Sequence, residues 1–365
     1  MKIALVHDFL IQAGGAEKTL EVFQEIWPKA PTYTLFFDPK KLPTFSGRDI
    51  RTSFLQRLPL ALEKYQWYIM LMPTATEHYD LSEFDLVLSS TSAFAKGIIT
   101  KPGAIHICYC HTPTRFLWSD THSYIQELRV PTFVKAILPP LLSRLRSWDQ
   151  QAADRVDVFI ANSKTVQERI KKYYHRDSHV IYPPVETQNF HLSNAPKTYF
   201  LTGGRLVPYK RYDLVVEAAN KTGIPLKIFG DGPVEADLRK MAKSNIEFCG
   251  RVSEKQKAEL YANAKAFIHP QEEDFGITAV ESMASGRPVI AYKKGGATET
   301  VVEGLSGEFL ESQTWEELAD HMIRFDEHRY DSVKIKHHAD QFSHKRFVEE
   351  LKTFVEKTYA NPGRY

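Results

Sequence analysis

The sequence predicts an α/β protein with two doubly wound parallel sheets, and three observations support that prediction. Short apolar runs alternate with longer amphipathic segments along the whole chain. Continuous apolar runs of this kind are typical of parallel strands that helices cover on both faces. The alternation of strand and helix implies right-handed crossovers, and 365 residues exceed the length of one ordinary domain. We therefore expect two Rossmann-like domains that face each other across a cleft.

The N-terminal half carries the first series of alternating segments. An extended connector with two prolines, Val180–Val185, follows this series and predicts the domain boundary, so the first domain is expected to span residues 1–183. The predicted strands are Ile3–Val6, Tyr33–Phe37, Leu86–Ser89, Ala104–Cys108 and Val156–Ile160, and the predicted helices include Ala16–Trp27 and Thr165–Tyr174.

A second series begins near residue 198 and predicts a domain of residues 184–344. A last helical pattern within residues 345–365 can pack back on the first domain. Because open α/β sheets bind ligands beyond the carboxyl ends of their strands, the loops at those ends are where functional residues are expected. The predicted strands are Tyr199–Thr202, Leu226–Phe229, Ile246–Cys249, Ala266–Ile268 and Pro288–Ala291, and the predicted helices are Tyr212–Lys221, Val234–Ala242, Glu254–Ala262 and Ile277–Ala284.

Composition excludes several classes of protein. A hydrophobic content of 43% with 25% charged residues describes a folded globular chain, and a net charge of +2 gives no reason to expect nucleic-acid binding. Cys108, Cys110 and Cys249 form no Cys-x-x-Cys pair, which favours a reducing compartment over a disulfide scaffold or a structural zinc site. No apolar run approaches the roughly 18 to 20 residues that span a bilayer. We expect a cytoplasmic protein.

The loop after the predicted strand at Ala266–Ile268 is the most informative segment. Three acidic residues, 272–274, precede a glycine and a helix, and acidic residues there commonly do no more than complement the helix dipole. The glycine, Gly276, also frees backbone N–H groups for the close approach of a phosphate. The segment resembles the Glu-x7-Glu motif of retaining GT-B glycosyltransferases of family 4, in which Glu273 and Glu281 are the two glutamates.

The resemblance extends from the glutamates to the residues between and after them. Phe275-Gly276-Ile277 supplies the expected apolar-Gly-apolar step, and Ser285–Val289 supplies the segment that closes the helix. Within this family, Glu273 is implied to orient the donor sugar and Glu281 to hold the ribose. The start of the helix, with Thr278, is implied to bind the diphosphate through its N–H groups.

A basic loop follows the first strand of the second domain. Arg205 and Lys210 suit a diphosphate, since arginine offers a forked pair of donors and lysine a compact charge. A short basic cluster is more often a solvated turn, but this loop lies at the carboxyl end of a strand. It is similar to the family's Gly-Arg-x5-Lys-Gly pattern, with Gly204 before the arginine. The pattern's last glycine is replaced by Arg211.

Two further loops of the resemblance are weaker. Arg251 and Val252 follow the strand that, in the family, meets the nucleobase largely through backbone groups. Gly14 and Gly15 follow the first strand and allow the backbone to approach the donor or acceptor, but they do not form the Gly-x-Gly-x-x-Gly fingerprint of a hydride-transfer cofactor. His111 lies in a His-Thr-Pro step that the family places near the sugar. Without that context, a lone histidine after a buried strand is more often structural.

The resemblance implies a retaining hexosyltransferase that uses a nucleoside-diphosphate sugar. UDP-glucose is the first expected donor and GDP-mannose the second, and the acceptor is expected to be a glycan or lipid-linked sugar in cell-surface or exopolysaccharide synthesis. No cofactor is expected, and because no Asp-x-Asp motif appears, no metal is expected either. Two alternatives stay open: a nucleotide-sugar 2-epimerase of the same architecture, with His111 as its acid or base, and a non-catalytic sugar-binding subunit.

Two stretches raise the question of a membrane. Residues 51–72 and 129–148 are rich in aromatic residues, leucine and arginine. A cationic helix that packs its apolar face on the domain explains them most simply. The alternative is an interfacial patch that meets a lipid-linked acceptor at the inner face of the plasma membrane.

Overall fold

The computed structural model of the chain describes residues 1–121, 125, 132–195 and 197–361. The chain divides into two compact units, one formed by Met1–Tyr182 with Val348–Tyr365 and the other by Pro183–Phe347. Each unit is built around one sheet, and every strand pair recorded in either sheet is parallel. The predicted fold class, α/β with two Rossmann-like parallel-sheet domains, is confirmed.

The sheet of the first unit has seven strands in the order β3-β2-β1-β4-β5-β6-β7. The order reverses between β1 and β4, and a crevice opens at such a reversal because the flanking connections leave to opposite faces of the sheet. The strands are β1 (Ile3–His7), β2 (Thr32–Thr34), β3 (Ile50–Thr52), β4 (Leu86–Thr91), β5 (Ile105–Cys110), β6 (Val158–Ala161) and β7 (Ser178–Val180). The helices are Gly15–Ile26, Met72–Glu77, Thr132–Asp154 and Lys164–Tyr174.

The sheet of the second unit has six strands in the order β10-β9-β8-β11-β12-β13, so its reversal lies between β8 and β11. The strands are β8 (Tyr199–Gly203), β9 (Leu226–Phe229), β10 (Ile246–Gly250), β11 (Ala264–His269), β12 (Val289–Tyr292) and β13 (Gly307–Leu310). The helices are Tyr212–Thr222, Glu235–Met241, Glu254–Ala262, Ile277–Ala284, Ala297–Thr300, Trp315–Arg324 and Ser332–Ala339.

The last helix, His344–Ala360, covers most of the helical pattern expected within 345–365, and residues 362–365 lie outside the described residues. The ring of Phe354 packs on His179, with ring centroids 5.0 Å apart. Within the described residues, no helix is both long enough and apolar enough to cross a membrane.

One predicted strand is misplaced. The apolar run Tyr33–Phe37 predicts a strand, but β2 ends at Thr34. Leu35 and Phe36 are buried in a hydrophobic cluster, so burial in the following loop explains their apolar character. The short strands β3 and β7 were not predicted, because they lie at the two edges of the sheet and have no continuous apolar run.

Candidate active site

The reversal of strand order in the second sheet brings together two of the predicted site residues. Lys210 ends a short turn that follows β8, and Glu273 lies in the loop that follows β11. The Lys210 Nζ atom lies 2.7 Å from Glu273 Oε1. Because β8 and β11 are adjacent parallel strands, residues that follow both strands meet at the same edge of the sheet.

The electrostatics of this pair keep both groups charged. Burial opposes the charge on Lys210, but the neighbouring Glu273 carboxylate raises the pKa of the lysine above its ordinary value. Burial likewise opposes the charge on Glu273, yet Lys210 and His269 together hold the pKa of that carboxyl below its usual range. A fixed cation and a fixed anion therefore face each other at the crevice edge, as a site for a charged, polar ligand requires.

Glycines let the surrounding loops come close. A side chain at Gly204 would lie 3.4 Å from Lys210 Nζ and 3.3 Å from the Tyr212 hydroxyl. Gly230, in the loop after β9, has a φ of +106° and would place a Cβ only 1.9 Å from the Gly204 carbonyl oxygen. Glycine at both positions allows the two loops to pack backbone against backbone beside the lysine.

Polar atoms from the end of β11 to the start of the next helix have no hydrogen-bond partner among the described residues. His269 is fully buried, and burial together with Lys210 lowers the pKa of its imidazole to about 4, so the ring is neutral at pH 7. Its Nε2 atom has no hydrogen-bond partner, and the same holds for the Gln271 Oε1 and Thr278 Oγ1 atoms. Native proteins pair nearly all such buried groups, so these three atoms are open to a hydrogen bond from a ligand or from water.

The helix Ile277–Ala284 begins directly at this cluster. Gly276 precedes it with a φ of +88°, and a Cβ there would lie 3.2 Å from His269 Nε2. Phe275 is buried and packs its ring against Phe342 at 5.5 Å between centroids, which anchors the entry to the helix. The first N–H groups of a helix, here including those of Ile277 and Thr278, have no partner within the helix and attract anions.

Glu281 lies further along the same helix and belongs to a second ion pair. It is 5% exposed, and its Oε1 accepts a hydrogen bond from Lys257 Nζ at 2.7 Å. Its Oε2 accepts a longer bond, at 3.3 Å, from the Tyr261 hydroxyl. Burial opposes the charge on Lys257, but the Glu281 carboxylate raises the pKa of the lysine. The two glutamates of the motif therefore each have their own lysine.

The remaining predicted residues of this unit are exposed or half-buried. Arg205 is exposed and makes no side-chain hydrogen bond or ion pair with the described residues. Arg251 extends into solvent, 3.5 Å from an Asp231 carboxylate oxygen, and Val252 is half-buried before the helix Glu254–Ala262. Among the described residues, no group of three or more His, Cys, Asp or Glu side chains is arranged to hold a metal ion.

The predicted residues of the first unit also lie at the reversal of their sheet. Gly14 precedes the helix that begins at Gly15, and both follow β1. His111 follows β5, and its Nε2 lies 2.8 Å from the Ser90 hydroxyl at the end of β4. Burial lowers the pKa of the His111 imidazole to about 3, with a smaller contribution from the charge on His7.

Several residues of the site were not predicted from the sequence. The three polar residues among them gave no signal, because each stands alone in an otherwise ordinary helix or strand. Lys257 and Tyr261 contact Glu281, which is distant in the chain, and His269 acquires its role only from the bend that brings Glu273 back to it. The two glycines among them form a Gly-Gly pair after a predicted strand, which was a usable signal. The residues are His269, Lys257, Tyr261, Gly295 and Gly296.

The glycine pair supports the loop that carries Glu273. The Gly296 N–H donates to the Glu273 carbonyl oxygen at 2.8 Å. A Cβ at Gly295 would lie 2.3 Å from that same oxygen, and one at Gly296 would lie 2.3 Å from Phe275 Cα. Only glycine allows the loop after β12 to lie directly beneath the loop after β11.

Comparisons with known proteins identify the family of the chain. A family model described as Glycosyltransferase Family 4 matches residues 30–189, and one described as Glycosyl transferases group 1 matches residues 185–342. The chain is 26% identical to a glycosyltransferase of Methanocaldococcus jannaschii over 59% of its own length and 62% of that relative's length. It is 25% identical to the alpha-1,3/1,6-mannosyltransferase ALG2 of Dictyostelium discoideum over 77% of its own length and 76% of the relative's.

A solved structure shares the fold over the whole chain. HepE of Anabaena, crystallised in complex with UDP, superimposes with a TM-score of 0.73 and 18% sequence identity, covering 98% of this chain and 100% of HepE. At this identity the likeness concerns the fold alone.

Proposed function

The chain belongs to the GT-B glycosyltransferases of family 4, and on that premise we propose that it transfers a hexose from a nucleoside-diphosphate sugar with retention of anomeric configuration. The single observation that carries this proposal is the 2.7 Å pair of Lys210 and Glu273 at the β8–β11 reversal. Beside the pair lie the free N–H groups of a helix and the unpartnered Thr278 hydroxyl. A cation, a helix start and a carboxylate match a diphosphate and a sugar.

The proposed reaction breaks the bond between the anomeric carbon and the diphosphate oxygen, which leaves with the electron pair. The acceptor hydroxyl attacks from the side that the diphosphate leaves, and its proton passes to the departing phosphate oxygen. Lys210, Arg205 and the N–H groups of residues 277–278 stabilise the charge that develops on the diphosphate. Removing one such donor typically costs about 3 to 4 kcal/mol of transition-state stabilisation.

The two glutamates have different proposed tasks. Glu273 accepts hydrogen bonds from donor-sugar hydroxyls and aims the sugar, as a carboxylate at the crevice edge can do. Glu281 accepts the ribose hydroxyls, for which a carboxylate with two oxygens retains free lone pairs beside Lys257 and Tyr261. Since no step needs a metal, the proposal includes metal-independent transfer without a cofactor.

The donor is proposed to be GDP-mannose or UDP-glucose. The sequence resemblance favours UDP-glucose, whereas the Dictyostelium relative is a mannosyltransferase and a relative in Corynebacterium glutamicum is a GDP-mannose-dependent mannosyltransferase, so we place GDP-mannose first. The two bases are distinguished by a panel of UDP- and GDP-hexoses in which both thermal shift and donor hydrolysis are measured. If only the GDP-hexoses raise the melting temperature and are hydrolysed, the donor base is guanine. If only the UDP-hexoses do so, it is uracil.

The decisive experiment measures transfer from the identified donor, in buffer with EDTA, for the wild type, Glu273→Gln and Glu272→Gln. Glu272 is an exposed neighbour, so its variant is the matched control. We expect Glu273→Gln to lose at least about 100-fold in kcat and Glu272→Gln to stay near wild type. Proton NMR of the product must show the donor's own anomeric configuration. An inverted product, or full activity of Glu273→Gln, contradicts the proposal.

The same assay separates the two alternatives. A 2-epimerase releases nucleoside diphosphate and an epimerised sugar without any acceptor, and that release would depend on His111. A non-catalytic subunit binds the donor but turns over none of it. Intact Arg205, Lys210, Glu273 and Glu281 favour the transferase.

The acceptor is proposed to be a glycan or lipid-linked sugar of cell-surface or exopolysaccharide synthesis, met at the cytoplasmic face of a membrane. Trp67 is 69% exposed, Leu60 is 54% exposed and Leu71 is 45% exposed within residues 51–72. Leu60 also has a φ of +54°, a conformation that strains a leucine. Arg57 and Lys64 are exposed in the same segment and suit anionic lipid headgroups.

Vesicle sedimentation tests the membrane contact. Wild-type protein is expected to co-sediment with vesicles of phosphatidylglycerol and phosphatidylcholine but not with phosphatidylcholine alone, and Trp67→Ser with Leu71→Ser is expected to abolish the difference. If the wild type and the double variant co-sediment equally with the anionic vesicles, the proposed membrane contact is contradicted. The second stretch, 129–148, begins outside the described residues, since 129–131 are not among them.

A further inference from the structure

Four polar side chains form a line in the first unit, at the reversal of its sheet. The Glu17 Oε1 atom lies 3.8 Å from His7 Nε2, and His7 Nδ1 lies 3.1 Å from the Ser90 hydroxyl oxygen. The same hydroxyl lies 2.8 Å from His111 Nε2. Ser90 therefore lies between two imidazoles, and Glu17 lies at the end of the line, on the other side of His7. Only His111 was identified as a site residue from the sequence.

The number of hydrogens in this line restricts its arrangement. A serine hydroxyl has one hydrogen, so Ser90 donates to one imidazole and accepts from the other. A neutral imidazole carries one hydrogen on one of its two nitrogens, so each ring either donates to Ser90 or accepts from it. Two arrangements satisfy both contacts when His7 and His111 are neutral, and they differ in which nitrogen of His111 carries its hydrogen.

Glu17 selects between the two arrangements. At 3.8 Å the contact is too long for a direct hydrogen bond. The negative charge of an ionised carboxylate still favours the positive end of an N–H bond, and therefore a hydrogen, on the facing His7 Nε2 atom. His7 Nδ1 then accepts from Ser90, and Ser90 accepts from His111 Nε2–H. We propose that Glu17, acting through His7 and Ser90, holds His111 in the tautomer whose Nε2 carries the hydrogen and whose Nδ1 is a free acceptor.

Burial makes this selection effective, because water does not compete inside the line. His7 is 3% exposed, Ser90 is fully buried and Glu17 is 8% exposed. Gly14 leaves room for the Glu17 carboxylate in this position, since a Cβ at Gly14 would lie 2.8 Å from Glu17 Oε2. The φ of Gly14 is −161°, which any residue adopts, so a side chain at this position would displace the Glu17 carboxylate without straining the backbone.

The carboxylate of Asp8, the residue that follows His7 in the chain, is hydrogen-bonded to other groups. Its two oxygens accept the backbone N–H groups of residues 92–95 at 2.6 to 2.9 Å. Glu17 is therefore the carboxylate that faces His7. His111 Nδ1 makes no hydrogen bond with the described residues, so it is available to accept one from a ligand hydroxyl. That consequence rests on the proposed function, for which the family resemblance implies a sugar near His111.

Nitrogen NMR tests the tautomer directly and without substrate. The protein is labelled with ¹⁵N-histidine, and the His111 signals are assigned among 14 histidines by comparison with His111→Asn. Spectra are taken at a pH where the ¹⁵N shifts of His7 show a neutral ring. A doubly protonated His7 would donate to Ser90 and so reverse the direction of both hydrogen bonds of that hydroxyl. We expect wild-type His111 to show a protonated Nε2 and an unprotonated Nδ1.

Glu17→Gln is the test variant, because an amide both donates and accepts and so removes the selection. His111 is then expected to show averaged shifts of a tautomer mixture, and Ser90→Ala is expected to do the same. Glu21→Gln, on the same helix, is the matched control and should leave His111 unchanged. A protonated Nδ1 in the wild type, or an unchanged Nε2–H tautomer in Glu17→Gln, overturns the proposal.

Activity provides a second, separate measurement. Glu17→Gln is expected to lower kcat about tenfold while leaving KM for the donor within about twofold, because the donor contacts of the second unit are untouched. If the tautomer behaves as expected but the wild type transfers no sugar, the proposed function fails and this inference stands. If transfer is normal but the tautomer does not respond, only this inference fails.

Discussion

Lys210 Nζ lies 2.7 Å from Glu273 Oε1, so the residue expected to bind the diphosphate and the residue expected to aim the sugar neutralise each other in the free protein. A bound diphosphate offers Lys210 a second anion. The lysine then divides its donors between the two, and Glu273 gains freedom to accept sugar hydroxyls. The pair therefore keeps both groups charged and in place before the donor arrives.

This competition predicts opposite effects of two substitutions on binding of the nucleoside diphosphate alone. Lys210→Met should weaken binding at least about tenfold, because a phosphate contact is lost. Glu273→Gln should leave binding unchanged or strengthen it by up to about tenfold, because the lysine no longer has an anionic partner. Isothermal titration calorimetry measures both. Weaker binding by Glu273→Gln would contradict the idea that Glu273 and the diphosphate compete for Lys210.

The second ion pair predicts that removing its lysine costs far more unfolding free energy than removing the exposed partner of that lysine. Lys257 contacts the buried Glu281 at 2.7 Å and the more exposed Glu254, whose side chain is 59% exposed, at 3.0 Å. Lys257→Met leaves Glu281 buried without a cation and should cost about 3 to 5 kcal/mol of unfolding free energy. Glu254→Gln should cost less than about 1 kcal/mol. Urea denaturation of both variants provides the comparison, and equal costs would contradict it.

The departure of Arg211 from the family pattern predicts a stabilising substitution. Arg211 has a φ of +53°, a left-handed conformation that glycine adopts without strain. Its guanidinium contacts Asp213 at 3.1 Å at the surface, and such an ion pair contributes little. Arg211→Gly should therefore raise the unfolding free energy by up to about 1 kcal/mol, whereas Arg211→Ala should not. Thermal unfolding of the wild type and both variants tests this order of stability. The prediction is contradicted if Arg211→Ala is more stable than Arg211→Gly.

Buried histidines predict acid sensitivity. His106 is fully buried, and burial lowers the pKa of its imidazole from 6.5 to about 3. The unfolded chain binds this proton below pH 6.5 while the folded protein does not, so folding stability falls as pH drops from that value toward about pH 3. From pH 6.5 to about pH 5 the loss is on the order of 2 kcal/mol.

The matched variant for this prediction is His106→Gln, which keeps a polar side chain but cannot titrate. Its unfolding free energy, measured by urea denaturation across that range, should fall less steeply with decreasing pH than that of the wild type. Parallel curves for the two proteins would show that His106 does not carry the effect.

Much of the candidate site could be predicted because it is local in sequence. The Glu-x7-Glu spacing, Gly276 and the basic loop with Lys210 lie in short segments whose residue types carry their own chemistry. His269 and Lys257 could not be predicted in the same way. A histidine ending a strand and a lysine in a helix are ordinary, and only their distances to Glu273 and Glu281 distinguish them.

By itself, the sequence determined the alternation of strand and helix, the glycines at the turns and the family of the chain. These properties depend on side-chain periodicity and backbone conformation, which neighbouring residues specify. The tertiary structure decided which polar side chains meet: Lys210 with Glu273, Lys257 with Glu281, and Glu17 with His7. Strand order sets the first of these pairings, because the adjacent parallel strands β8 and β11 bring residues distant in the chain to one sheet edge, where burial strengthens the interaction between their charges.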